Sequence, residues 1–180
     1  NVSSPLGLQL DSLADMVTSG VVPGFVMFQM LSNSVNSNPS LVYFPYLGFI
    51  ISLGSCYRLA NFNIDTRQTD SFIGLPTPAN ALFILSLPLI VKYSDSLIAL
   101  ELLTNNWFLL VITLLSAYIL NAEIPLFALK IKKFNFKDNV LQIAFVLISL
   151  VLLVLFQFSG VALVIVFYVF LSVIMNLITG

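Results

Sequence analysis

The chain has 180 residues, of which 59% are hydrophobic and only 8% charged, with a net charge of −1. Soluble domains carry about a quarter charged residues, so this composition excludes an ordinary water-soluble globule. The near-zero charge equally excludes a nucleic-acid-binding surface, and the chain reads as an integral membrane protein.

Apolar stretches divided by polar or Gly/Pro-rich breaks predict six spanning helices, at about 8–31, 40–61, 77–93, 105–123, 139–158 and 160–178. The breaks are "SNSVNSNPS", "NIDTRQTDSFIGLPTP", "KYSDSLIALELLTNN", the basic "KIKKFNFKDN" and a tight "FQFSG" turn. No linker able to separate domains occurs, so residues 1–180 are expected to form one all-α transmembrane bundle. Six of the seven basic residues fall on one side: Arg58, Arg67, Lys130, Lys132, Lys133 and Lys137, with Lys92 opposite. By the positive-inside rule that side is cytoplasmic, which gives a multi-pass cell-membrane protein with both ends of this chain inside. Asp11, Asp15, Arg58 and Arg67 then share the cytoplasmic face. The single cysteine, Cys56, cannot form an internal disulfide and reads as a buried small apolar residue. Trp107 reads as an interfacial anchor, and Phe167, Tyr168 and Phe170 as packing or lipid-facing surface.

Two acids in the first apolar helix need a reason. Gly7, Asp11 and Asp15 are spaced by four, so they climb one helix face with about 6 Å of rise per step. An aspartate near a spanning-helix centre costs about 2.5–3.5 kcal/mol on insertion scales, so intramembrane acids usually face a cavity or partner. The alternative is a pair of solvated first-turn acids favoured by the helix dipole. Carboxylate oxygens on one face suit a hard cation such as Mg²⁺, though two are too few for a complete site. Small residues Gly7 and Ser12 permit either close helix packing or a substrate pocket. With no histidine in the chain, neither a Ser-His-Asp triad nor a histidine-bound zinc can form within it, and a carboxylate is the natural proton acceptor.

Arg58 reads either as a snorkelling helix-end arginine or as a bidentate anchor for a phosphate or carboxylate. Asn63 and Asp65 either cap the loop or line the same mouth. Pro76 and Pro78 open a helix in the first-turn position that proline prefers, and could also shape a pocket.

The run Gly7-Leu-Gln-Leu-Asp11-Ser-Leu-Ala-Asp15 resembles the second half of the CDP-alcohol phosphotransferase signature, G-x-x-x-D-x-x-x-D. The blocks "LDSLADMVTSGVVPG", "YRLANFNI", "FIGLPTPANA" and "LNAEIPLFALKIKKF" are similar to the bacterial branch of that family that uses serine as acceptor. The upstream half of the signature, D-x-x-D-G-x-x-A-R, does not occur in this chain. The resemblance therefore implies an N-terminally truncated domain, the C-terminal part of an eight-helix protein, and residues 1–180 alone are expected to be inactive. Asn61 departs from the family's usual arginine in "RLARFN", and no role is carried over to it.

The resemblance further implies phosphatidyl transfer from CDP-diacylglycerol to the hydroxyl of L-serine, with CMP leaving, at the cytoplasmic face. It implies two divalent ions, Mg²⁺ or Mn²⁺, with Asp11 as a metal ligand and Asp15 as both ligand and general base. Gly7 matches the glycine that lets the nucleotide approach, and Arg58 and Asn63 are candidate substrate-binding residues. Membrane lipids and a second copy of the chain are expected partners. Another acceptor in the same family, glycerol phosphate or inositol phosphate, is the alternative. An ion transporter is disfavoured because charges cluster at one face instead of mid-membrane on several helices.

Overall fold

Helix α1, Pro5–Asp15, begins where a cap and a proline dictate: the Ser4 hydroxyl accepts from the Gly7 N–H at 3.0 Å, and Pro5 fills the first turn. The computed structural model describes residues 4–35, 41–65, 73–126 and 139–179. Within them every regular element is helical, apart from one isolated bridge between Ile73 and Pro125.

After Asp15 the helix widens into a π-turn, Met16–Val21, and continues as α2, Val22–Val35. Pro23 gives the physical reason. It has no N–H, and its ring would collide with a carbonyl one α-turn earlier; one wide turn relieves both problems without ending the helix. A 3₁₀ turn, Phe44–Phe49, then leads into α3, Ile50–Ile64. Helix α4 occupies Thr77–Tyr93, the range expected, with Pro76 as its N-cap and Pro78 in its first turn.

The stretch expected to be loop before the fourth span instead holds a short helix, α5, Leu97–Thr104, capped by the Ser96 hydroxyl. Asn105 caps the following α6, Asn106–Asn121, accepting from Trp107 and Phe108, and α5 and α6 meet at 77°.

The last element, α7, runs Val140–Thr179 but leaves helical geometry at Gln157 (φ 47, ψ −114). Phe145 and Phe167 stack with centroids 5.7 Å apart. In an unbroken helix those positions would lie about 33 Å apart, so α7 is an antiparallel hairpin. The expected "FQFSG" turn is where it reverses. Gly160 is required there, because a Cβ would fall on the Leu152 carbonyl and 2.9 Å from the Leu153 Cα.

By length and composition, Pro5–Val35 and Val140–Ile178 are apolar enough to cross a membrane, and the bent α5–α6 pair adds a third candidate. That is fewer than the six spans expected; α4, at 17 residues, is a shorter apolar helix.

The core is formed where α2, α3, α4 and α6 meet, with Met27, Leu31, Ile51, Ile84 and Leu109 fully buried. Cys56 is exposed, contrary to expectation, on the side of α3 that also exposes Leu53 and Tyr57. In a membrane protein such a face meets lipid, so apolar character does not imply burial. Trp107 is exposed and edge-on to Phe44. Phe167 and Tyr168 pack on Phe145, while Phe170 is exposed.

Candidate active site on the first helix

The α1 backbone places Gly7, Asp11 and Asp15 on one face, with Gly7 and Asp11 exposed and Asp15 half-buried. Among the described residues neither carboxylate has a hydrogen-bond or ion-pair partner. No group of three or more His, Cys, Asp or Glu side chains gathers among those residues either. Two unpaired carboxylates on one face are hard oxygen donors and fit part of a divalent-cation site.

Asn63 reaches this helix from the far end of α3. Its Nδ2 donates to Ser12 Oγ at 2.9 Å. The Ser12 hydroxyl has one proton to give, with the Leu8 carbonyl and Asn63 Oδ1 both at 3.2 Å. Asn63 is thereby tied to the residue following Asp11, and the end of α3 is held against the aspartate helix. Loop capping alone does not describe it.

Arg58 goes elsewhere. Five residues before Asn63, it faces a direction about 140° away around α3. It is 7% exposed, and its Nη1 donates to the Ile73 carbonyl at 2.6 Å. The snorkelling reading is thus corrected: the guanidinium is inside the bundle, and it touches neither Asp11 nor Asp15. It braces a junction of two segments distant in sequence. Gly74 N–H donates to the Ile124 carbonyl at 2.9 Å, and Leu75 N–H to the Ile119 carbonyl at 3.1 Å. Gly74 has φ +73, and a Cβ there would lie 2.7 Å from the Leu120 carbonyl and 3.3 Å from Arg58 Nη1, so only glycine fits. Residues 73–75 and 119–125 therefore meet beside Arg58.

Asp65 is half-buried at the end of α3. Arg67, Lys130, Lys132, Lys133 and Lys137, five of the six basic residues expected on the cytoplasmic side, lie outside the described residues.

Sequence reasoning missed the polar support behind Asp15. The Ser52 hydroxyl donates to the Gly20 carbonyl within the π-turn at 2.9 Å, tying the widened segment to α3. Pro23 inside an otherwise continuous apolar span was the available signal, since a proline there frees carbonyls that need other donors.

No family model matches the chain. Among curated proteins, it is 32% identical over 152 residues to a CDP-diacylglycerol–serine O-phosphatidyltransferase of Helicobacter pylori (strain ATCC 700392 / 26695), which covers 81% of this chain and 58% of that protein. A Bacillus subtilis (strain 168) protein of the same name is 38% identical over 82 residues, 43% of this chain and 41% of the relative. One from Methanocaldococcus jannaschii is 37% identical over 81 residues, 45% of this chain and 35% of the relative. The chain thus spans little more than half the length of the Helicobacter relatives it matches. The relatives from Helicobacter, Bacillus and Methanocaldococcus carry one name, so what the chain is similar to is the CDP-diacylglycerol–serine O-phosphatidyltransferases.

Proposed function

We propose that the protein containing this chain transfers a phosphatidyl group from CDP-diacylglycerol to L-serine within the membrane, giving phosphatidylserine and CMP. The observation that carries the reading is the Gly7, Asp11, Asp15 face of α1, with both carboxylates unpaired among the described residues and Asn63 tied in beside them.

In this reading the serine oxygen forms a bond to the lipid-side phosphorus and the bond to CMP breaks. The serine hydroxyl proton passes to the Asp15 carboxylate, the only type of base this face offers. Asp11 and Asp15 would hold a divalent cation, Mg²⁺ or Mn²⁺, with further ligands from outside this helix; when bound, it neutralises pyrophosphate charge. Gly7 leaves room for the nucleotide against the helix. Asn63, tied to Ser12 on the adjoining side of α1, offers an amide next to that face once its Ser12 bond is exchanged.

Arg58 serves as an anion anchor. It is a buried cation without an acidic partner among the described residues, and a buried charge is costly unless it is paired. The serine carboxylate or the lipid phosphate would meet that need in bidentate form. The same reading takes the chain as six spans, with the α7 hairpin supplying two, and puts the aspartate end of α1 at the cytoplasmic face.

The test is CMP release by the full-length protein in vesicles with Mn²⁺, offered serine, glycerol 3-phosphate or inositol phosphate. Serine-dependent CMP and phosphatidylserine in equal amounts are expected. Turnover with a phosphorylated acceptor in place of serine would move the protein to another branch of the family. No CMP with any acceptor would overturn the assignment.

A further inference from the structure

Away from the aspartate helix, α4, α6 and the second arm of α7 enclose a cleft of about 370 Å³, within the range of small-molecule pockets. Its walls are apolar, including Phe83, Ile112, Leu115 and Val169, except at Asn80 and Ser116. Asn80 is 1% exposed, and Ser116 Oγ donates to its Oδ1. The amide Nδ2 of Asn80, with two hydrogens to give, has no hydrogen-bond partner among the described residues. A buried amide left unpaired is costly, and in a bilayer no bulk water supplies the missing acceptor.

The cleft has a direction. Leu75 N–H bonds the Ile119 carbonyl, and Asn176 Nδ2 bonds the Pro125 carbonyl at 2.7 Å. These bonds put the start of α4, the end of α6 and the end of α7 at one level, the level of Ile73 and Arg58. Asn80 lies in the first turn of α4, near that end. From there the cleft runs towards Phe83, Ile112 and Ile165, about 12 Å along the α7 arm from Val173. An apolar channel with one hydrogen-bond donor at its polar end matches one chemistry, an acyl chain carrying an ester carbonyl. A lone water needs two to four polar partners, and this cleft offers one amide and a hydroxyl already engaged. Helix carbonyls of a second copy already accept from their own N–H groups and offer only a second lone pair, whereas an ester carbonyl is free to take the Asn80 donor.

We propose that this cleft holds an ester-linked acyl chain of a diacyl phospholipid from the surrounding bilayer, its ester carbonyl accepting from Asn80 Nδ2. The site does not depend on the transferase reading, since it needs no turnover.

The test compares lipid retention by the full-length protein in native mass spectrometry. The probes are dioleoyl phosphatidylglycerol and its diether analogue, which has the same head group and chains but no ester carbonyl. The wild type should retain the diester about threefold to tenfold better, the worth of one neutral hydrogen bond. Asn80→Leu should erase that preference, and Val169→Trp, which fills the channel, should release both lipids. Equal retention of diester and diether by the wild type would overturn the proposal, as would a preference that survives in Asn80→Leu. Retention of CDP-diacylglycerol alone would also overturn it and give the cleft to the donor substrate. Should Asn80→Leu fail to fold, the wild-type comparison and Val169→Trp decide the matter.

Discussion

The helix through Pro5–Val35 and the one through Val140–Thr179 are both interrupted midway, and the two interruptions do different things. In the first, Pro23 forces a π-turn, yet the helix carries on in the same element. Polar groups gather at that break: Asp15 stands immediately before it, and Ser52 bonds its Gly20 carbonyl. In the second, Gln157 leaves helical geometry, the chain reverses, and Gly160 lets the arms touch. No charge lies in that hairpin, and aromatic contacts of Phe145 with Phe167 and Tyr168 join its arms. A break that preserves the axis calls in polar side chains, as Ser52 at the Gly20 carbonyl, next to the aspartate face. A break that reverses the chain yields two apolar arms packed side by side. Loss of the Asp15 carboxylate beside the first break should therefore change turnover, and substitutions at the second break should change stability.

The largest effect is expected at the aspartates. In the full-length enzyme, Asp15→Asn should lower kcat for CMP release by about 10²–10⁴-fold, the usual worth of a positioned proton acceptor. The protein should remain folded, because Asp15 is only half-buried and unpaired among the described residues. Near-normal turnover would end the assignment of Asp15 as base.

Next comes the hairpin. Gly160→Val places a branched side chain on the Leu152–Leu153 backbone and should destabilise the protein by about 1–3 kcal/mol, as overpacking does. Thermal unfolding in detergent measures this. The Michaelis constant for serine should stay unchanged in the fraction that folds; a shift would mean the hairpin reaches the site.

Arg58→Lys should be intermediate. Lysine keeps the charge but loses the fork, so kcat/KM should fall about tenfold, or about 1.4 kcal/mol. Whether the Michaelis constant for serine or for the lipid rises identifies the bound anion. Unchanged constants for both would leave Arg58 as a brace for Ile73 alone.

Ser52→Ala should be smallest. It removes the bond to the Gly20 carbonyl and should cost about 1 kcal/mol of stability, a typical buried hydrogen bond. A change in kcat exceeding the stability loss would show that the π-turn also positions Asp15.

Much of this was legible because it follows from local pattern. The all-helical character, the extent of α4 and the reversal at "FQFSG" are consequences of apolar run length and Gly/Pro placement, which act within a few residues. The aspartate face is a simple four-residue spacing. What escaped depends on residues far apart in the chain. The docking of Ile73–Leu75 onto Ile119–Pro125, which buries Arg58, joins two loops with no shared periodicity. The Asn63–Ser12 tie spans 51 positions. The short α5 had a local signal, Ser96 ahead of an apolar turn, which the neighbouring charges obscured. Cys56 was misplaced because apolar residues in a membrane protein face lipid as readily as the core.

The measurement that goes most directly to the central claim is Mn²⁺ binding to the full-length protein, read by electron paramagnetic resonance without turnover. Asp11 and Asp15 are held to supply ligands on one helix face, so Asp11→Asn should weaken Mn²⁺ binding at least tenfold, roughly the loss of one charged contact. Arg58→Lys, which leaves that face untouched, should bind Mn²⁺ as the wild type does. Undiminished Mn²⁺ binding in Asp11→Asn would contradict the account, because the aspartate face would then not be where the cation sits.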